Sequence, residues 1–242
     1  MTWPAIPWSQ APPVTSSALR QADAAASTQF GIEPLQLMEV AGEQVARFVN
    51  TFFDGIGGKR VLVVAGSGNN GGDALVAARF LHQRGAIVSV SLVSSRDPKS
   101  LSAHHARAIE QLGIPVADAP AGVDASPDVI VDGLLGTGIR PPLREPAPAI
   151  IGAMNAAGQP IVAIDVPSGM DADSGAGAND AVRAVATVTL AAPKAGLMVA
   201  PNAGRVFLAD IGMPARLFST AETAISAIFR IADLVELIRP VS

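Results

Sequence analysis

Residues 61–81 read VLVVAGSGNNGGDALVAARFL, a short β-branched run, then a glycine-rich segment, then a helix-forming pattern. Gly66-Ser67-Gly68-Asn69-Asn70-Gly71 fits G-x-G-x-x-G between a predicted strand and a predicted helix, the context in which that spacing marks a dinucleotide site. One residue conflicts with it. The fingerprint sets a helix N-terminus against a pyrophosphate, and Asp73, expected in the first turn of a helix over 72–84, brings a carboxylate that repels phosphate. The next strand ends Val93-Ser94-Ser95-Arg96, with no acid to hold an adenine ribose; Arg96 suits a 2′-phosphate or plain solvent. With no tyrosine in the chain as well, an NAD(P)-dependent oxidoreductase is poorly supported.

Working outward, apolar runs at 61–65, 87–93, 129–131, 161–164, 185–191 and 205–208 alternate with helical patterns at 72–84, 100–112 and 147–157. Such alternation predicts an α/β fold: a Rossmann-like, doubly wound, mostly parallel sheet with helices on both faces. The continuous apolar strands agree, being those of a sheet buried on both sides. Two helices precede it, over 17–28 and 34–52. In the second, Leu37, Ala41, Val45, Phe48 and Phe52 recur at helical spacing and form a core stripe. Residues 1–15, with four prolines and two tryptophans, read as an irregular arm before a single domain over 16–242.

The chain's 242 residues are 49% hydrophobic and 16% charged, with a net charge of −4. A sizeable core follows, and a basic stripe for nucleic acid or a membrane surface does not. Small molecules are the expected partners. The absence of cysteine removes disulfides, thiolate catalysis and Cys-ligated metals. The N-terminal stretch lacks the charged and apolar regions of a secretory signal, and no apolar run approaches the roughly 20 residues of a membrane span, so a cytoplasmic location is expected. His82, His104 and His105 fall at spacings that put no pair on one face as zinc ligands and are expected to be exposed.

In an open parallel sheet, ligands bind beyond the carboxyl ends of the strands. Three strand ends here carry Asp or Asn beside glycines: Asn69-Asn70-Gly71-Gly72-Asp73, Asp132-Gly133-Leu134-Leu135-Gly136-Thr137-Gly138, and Asp165-Val166-Pro167-Ser168-Gly169. Any one alone is a turn or cap. Three at one edge make a site, and the oxygen donors of Asn70, Asp132 and Ser168 suit a hard cation. Asp171-Ala172-Asp173-Ser174-Gly175 reads as a turn, since Val182 stands where a calcium loop needs a bidentate Glu. Lys194 follows an apolar strand and joins the candidates.

LMEVAG at 37–42, GSGNNGGDALVAARFL at 66–81, VDGLLGTGIRPPL at 131–143, DVPSGMDADSG at 165–175 and APKAGL at 192–197 follow one another in an order that resembles the YjeF-type N-terminal domain family, the NAD(P)H-hydrate epimerases. The resemblance spans residues 18–212. It implies a Rossmann-like domain, often dimeric, that interconverts the R and S forms of hydrated NADH or NADPH, a repair reaction without net redox change. It also implies one potassium ion per subunit on Asn70, Asp132 and Ser168. Substrate contacts would come from Asn69, Asn70, Gly71, Gly72 and Asp73, from Gly136, Thr137, Gly138, Ile139, Arg140, Pro141 and Pro142, and from Asp165. The functional partner would be an NAD(P)H-hydrate dehydratase, separate or fused. Two positions depart from the family pattern: Ala74 replaces a frequent Gly, and Leu190-Ala191-Ala192 stands where a Thr-Phe pair is frequent.

Carbon 6 of such a hydrate is a carbinolamine centre, whose configuration is lost when water leaves or the ring opens. Either route needs proton transfer. Asp165 is the expected acid–base group and Lys194 a second catalytic candidate. The alternative is a non-catalytic nucleotide-binding or scaffold module that keeps the same pocket.

Overall fold

The computed structural model describes residues 3–93, 97–119 and 126–240. Its elements run β1 (Ala5–Pro7), α1 (Ser16–Phe30), α2 (Pro34–Phe52), β2 (Arg60–Ala65), α3 (Asn69–Gln83), β3 (Ile87–Leu92), α4 (Leu101–Gln111), β4 (Val116–Asp118), β5 (Val129–Gly133), α5 (Ala147–Ala156), β6 (Ile161–Ile164), β7 (Ala186–Leu190), α6 (Ala195–Val199), β8 (Arg205–Ala209), α7 (Glu222–Phe229) and β9 (Leu234–Ile238). The strands form one sheet in the order β1-β9-β8-β7-β6-β5-β2-β3-β4, parallel except where β8 meets β9. Three layers result, because alternate strand residues serve opposite faces. Val61, Val63 and Ala65 pack with α2 and α3, while Leu62 and Val64 pack with Ile150, Ile151 and Met154 of α5.

The chain leaves β2 for β3 and β4 on one side, then returns to place β5 on the other side of β2. The topological switch point therefore lies between β2 and β5, and a crevice opens there beyond their carboxyl ends. Both glycine-rich segments that follow these strands meet at that point. A Cβ on Gly71 would lie 1.8 Å from the Gly66 carbonyl oxygen, and one on Gly66 would lie 1.9 Å from that of Leu134. Backbone stacked this closely on backbone admits glycine alone.

Two expectations change. Residues 3–15 are ordered into the fold: Ala5–Pro7 pairs in parallel with β9, and Trp8 is 3% exposed. Prolines obscure this, because a strand at a sheet edge tolerates them and yet sheds its sequence signature. The fingerprint helix begins at Asn69 with Gly68 as its cap, three residues before the expected start. Asp73 consequently sits in the second turn, beyond the dipole's positive end.

Candidate active site

A cavity of about 520 Å³ occupies the switch point. Its floor and walls come from the segments after β2 (Ser67–Asn70, with Asp73), after β5 (Leu134–Ile139), after β6 (Asp165) and after β7 (Leu190, Ala191, Lys194). Leu19, Arg20 and Asp23 of α1 and Leu37, Met38 and Ala41 of α2 close the remaining side. Leu37 and Ala41, expected as core, are both buried and cavity-lining.

Asp165 and Lys194 are brought together. Lys194 is 1% exposed, and its Nζ donates to Asp165 Oδ1 and to the Leu190 carbonyl. The Leu190 amide donates to the same Oδ1 at 3.1 Å, and Thr189 Oγ1 stands 3.5 Å away. Among the described residues nothing holds Asp165 Oδ2. The backbone at Asp165 and at Ala191 is left-handed, φ 66° and 63°, a conformation that non-glycine residues adopt at some cost and that collects at functional sites.

Asn70, Asp132 and Ser168 form a second, deeper group. Asp132 is 0% exposed and lies inside β5. Its Oδ1 accepts from Ser168 Oγ at 2.6 Å and from the Leu134 amide at 3.2 Å, and its Oδ2 accepts from the Ser168 amide at 2.9 Å. Among the described residues no cationic side chain pairs with it. Burial pushes its carboxyl up to about 6, with the Ser168 and Leu134 hydrogen bonds opposing. Asn70 Nδ2 donates to the Leu135 carbonyl at 2.9 Å, which leaves Oδ1 without a partner among the described residues. A buried carboxylate lacking a cation, an unsatisfied amide oxygen, a hydroxyl and a carbonyl make an all-oxygen donor set, which fits a hard cation. Among the described residues no group of three His, Cys, Asp or Glu side chains could hold a metal.

The remaining expected residues divide. Asn69, Asp73, Gly136, Thr137, Gly138 and Ile139 line the cavity. Gly71 and Gly72 instead pack against Gly66 and Met38. Arg140, Pro141 and Pro142 stand outside the lining; Arg140 pairs with Asp171 at 2.7 Å and Asp173 at 3.2 Å. Asp171 Oδ1 also accepts from the amides of Asp173 and Ser174, so the 171–175 segment is the expected turn. Arg96 lies outside the described residues. His105 departs from the expected exposure: it is buried, its Nδ1 is 3.9 Å from Glu39, and its Nε2 has no hydrogen-bond partner among the described residues.

Spacing gave no sign of Arg20 and Asp23. Both sit on α1 among ordinary polar residues and reach the cavity through tertiary packing alone. The Asp23 carboxyl is raised by burial and by Asp165, with Lys194 opposing. The Asp73 carboxyl is raised well above the usual range by burial, then by Asp165 and Asp23, again with Lys194 opposing.

Among known proteins, the family model described as YjeF-related protein N-terminus matches residues 34–196. An NAD(P)H-hydrate epimerase of Rhodopirellula baltica is 36% identical over 217 residues, covering 86% of this chain and 87% of that protein. One from Limosilactobacillus fermentum is 38% identical over 202 residues, covering 81% and 95%. The bifunctional NAD(P)H-hydrate repair enzyme Nnr of Salinibacter ruber is 38% identical over 223 residues; the match takes in 84% of this chain and 41% of that one, so the chain spans about two fifths of the bifunctional relative. The crystal structure of yeast ynu0 superposes with a TM-score of 0.74 at 29% identity, covering 82% of this chain and 88% of that one. The chain belongs to the family of YjeF-related protein N-termini.

Proposed function

We propose that the chain is an NAD(P)H-hydrate epimerase, an isomerase that interconverts the R and S forms of NADH or NADPH hydrated at carbon 6 of the nicotinamide ring. The observation that carries the proposal is the state of Asp165. Lys194 and the Leu190 amide fix its Oδ1, its Oδ2 is unengaged among the described residues, and the residue lines the cavity. A carboxylate so oriented can exchange a proton with the carbinolamine hydroxyl, contributing about 10²–10⁴-fold to rate. Lys194 keeps the group in place and balances its charge.

Asn69, Asn70 and Asp73 on one side and Gly136–Ile139 on the other would contact the substrate; both segments line the cavity. Gly71 and Gly72 allow the first to approach closely, and Arg140, followed by Pro141 and Pro142, anchors the far end of the second through its own ion pairs with Asp171 and Asp173. One potassium ion per subunit, held by Asn70, Asp132 and Ser168, belongs to the same proposal. Bound there it would offset the Asp132 charge and tie together the segments after β2 and β5. Residues 16–242 act as one domain in this proposal, with Ala5–Pro7 contributing the edge strand. A homodimer, a cytoplasmic setting and a dehydratase supplied separately or by fusion complete it. Among the described residues no helix is long and apolar enough to cross a membrane.

The test is chromatographic. Supplied with one purified epimer of the NADH hydrate and potassium, the chain should generate the other faster than the background, without altering intact NADH. Binding without conversion would instead make the cavity that of a non-catalytic nucleotide-binding module.

A further inference from the structure

One buried acid in the cavity has no structural task. Asp73 is 8% exposed and lines the same cavity as Asp165. Among the described residues no hydrogen bond or ion pair reaches its carboxyl. Asp171 shows what a structural acid looks like in this protein: two amides, the Ser174 hydroxyl and Arg140 hold it. No protein group among the described residues satisfies this carboxyl, and its place in the cavity lining leaves it free to meet a ligand there.

We propose that Asp73 is a second catalytic residue, a carboxylic acid that works with the Asp165 carboxylate on the carbinolamine carbon. The proposal rests on the epimerase function. The two groups divide the proton work because their surroundings differ: Asp165 is paired with the Lys194 ammonium, whereas Asp73 has no ion pair among the described residues, and burial with two nearby carboxyls, Asp165 and Asp23, outweighs Lys194 in favouring its protonated form. Asp73 gives its proton to the departing hydroxyl as the C6–O bond breaks, the bonding pair leaving with oxygen as water. The N1 lone pair closes an N1=C6 double bond. Water then adds to the other face of C6, its proton passing to Asp165 and the N1=C6 pair returning to nitrogen. One water leaves and one enters, nothing is oxidised or reduced, and a single proton has moved from Asp73 to Asp165. Exchange with solvent returns the proton from Asp165 to Asp73 before the next turnover in the same direction, and the opposite epimer carries it back directly.

The test combines a variant with an isotope. Asp73→Asn keeps the shape and removes the proton; kcat should fall about 10²–10⁴-fold with KM within a few-fold, while the melting temperature stays level or rises because an unpaired buried carboxyl is gone. In ¹⁸O-water the wild type should place ¹⁸O in the C6 hydroxyl at the rate of inversion. An unchanged kcat, a raised KM alone, or wild-type inversion without ¹⁸O would each overturn the assignment of Asp73. A wild type that leaves both epimers at the background rate would overturn the epimerase function itself, and this assignment with it.

Discussion

Replacing Asp165 by Asn removes a charge from a buried ion pair while sparing almost everything else. Asn tolerates the left-handed backbone found at this position (φ 66°), and its amide oxygen can still accept from the Leu190 amide. What remains is the Lys194 ammonium, 1% exposed, with neutral acceptors, the Leu190 carbonyl 2.6 Å away and the amide oxygen at position 165, and no ion-pair partner among the described residues. Breaking a buried pair by removing one partner costs about 3–5 kcal/mol. The Asp165 side chain retains 13% exposure at the cavity wall, so the lower end, roughly 3 kcal/mol, is expected. At about 2–4 °C per kcal/mol for a chain of this size, the melting temperature should drop by roughly 6–12 °C. Asp165→Asn/Lys194→Met removes the orphaned charge and should recover most of that loss, since apolar replacement of a buried pair is often neutral. Epimerisation should be lost in both variants. Thermal and urea unfolding of the wild type, the two single variants and the double variant give the coupling energy. If the double variant is no more stable than Asp165→Asn, Lys194 does not depend on Asp165 and the proposed pairing logic fails.

Four further outcomes are expected. Potassium should raise the wild-type melting temperature relative to choline, by the equivalent of about 2.7 kcal/mol at 100 times its Kd, and should have no such effect on Asp132→Asn. Gly71→Ala, whose Cβ would meet the Gly66 carbonyl oxygen at 1.8 Å, should lower stability by more than the usual 1–3 kcal/mol of overpacking in a denaturant titration. Burial lowers the His105 pKa, with Glu39 opposing and His104 and Arg79 reinforcing; the unfolded state therefore binds the proton first, and the His105 contribution to stability should fall as pH drops from about 6.5 towards the lower folded value, against the opposite contribution of the raised Asp132 and Asp73 carboxyls. Unfolding curves of His105→Leu across that window should lack this slope. Trp8→Ala should cost about 3–5 kcal/mol, measured by urea unfolding, whereas a loosely attached arm would lose almost nothing.

The central layers were legible because their strands are buried on both faces. Predicted bounds of 161–164 and 34–52 coincide with β6 and α2, where apolar content and helical period leave little ambiguity. Elements at the margins escaped. β1 and β4 are three residues each, too short for a period, and β9 carries Glu236, which pairs with Arg205 on β8 and breaks the apolar run. α6 has five residues following Lys194. At the site, the three acidic strand ends were visible because topology alone sends strand ends to one edge. The contribution of α1 was not, since Arg20 and Asp23 become cavity residues only through the packing of that helix. The Asp165–Lys194 pair lay between: both residues could be named from sequence, while their contact depends on the bend after β7, where Ala191 turns left-handed.

The central claim is most directly tested by starting from each purified epimer of the NADH hydrate in separate reactions, with potassium present, and following both by chromatography. Wild-type protein should drive the two reactions to one common R-to-S ratio well ahead of the spontaneous process, and Asp165→Asn/Lys194→Met should not. Two mixtures that keep their separate compositions at the background rate, with wild-type protein folded and the hydrate bound, would contradict the account.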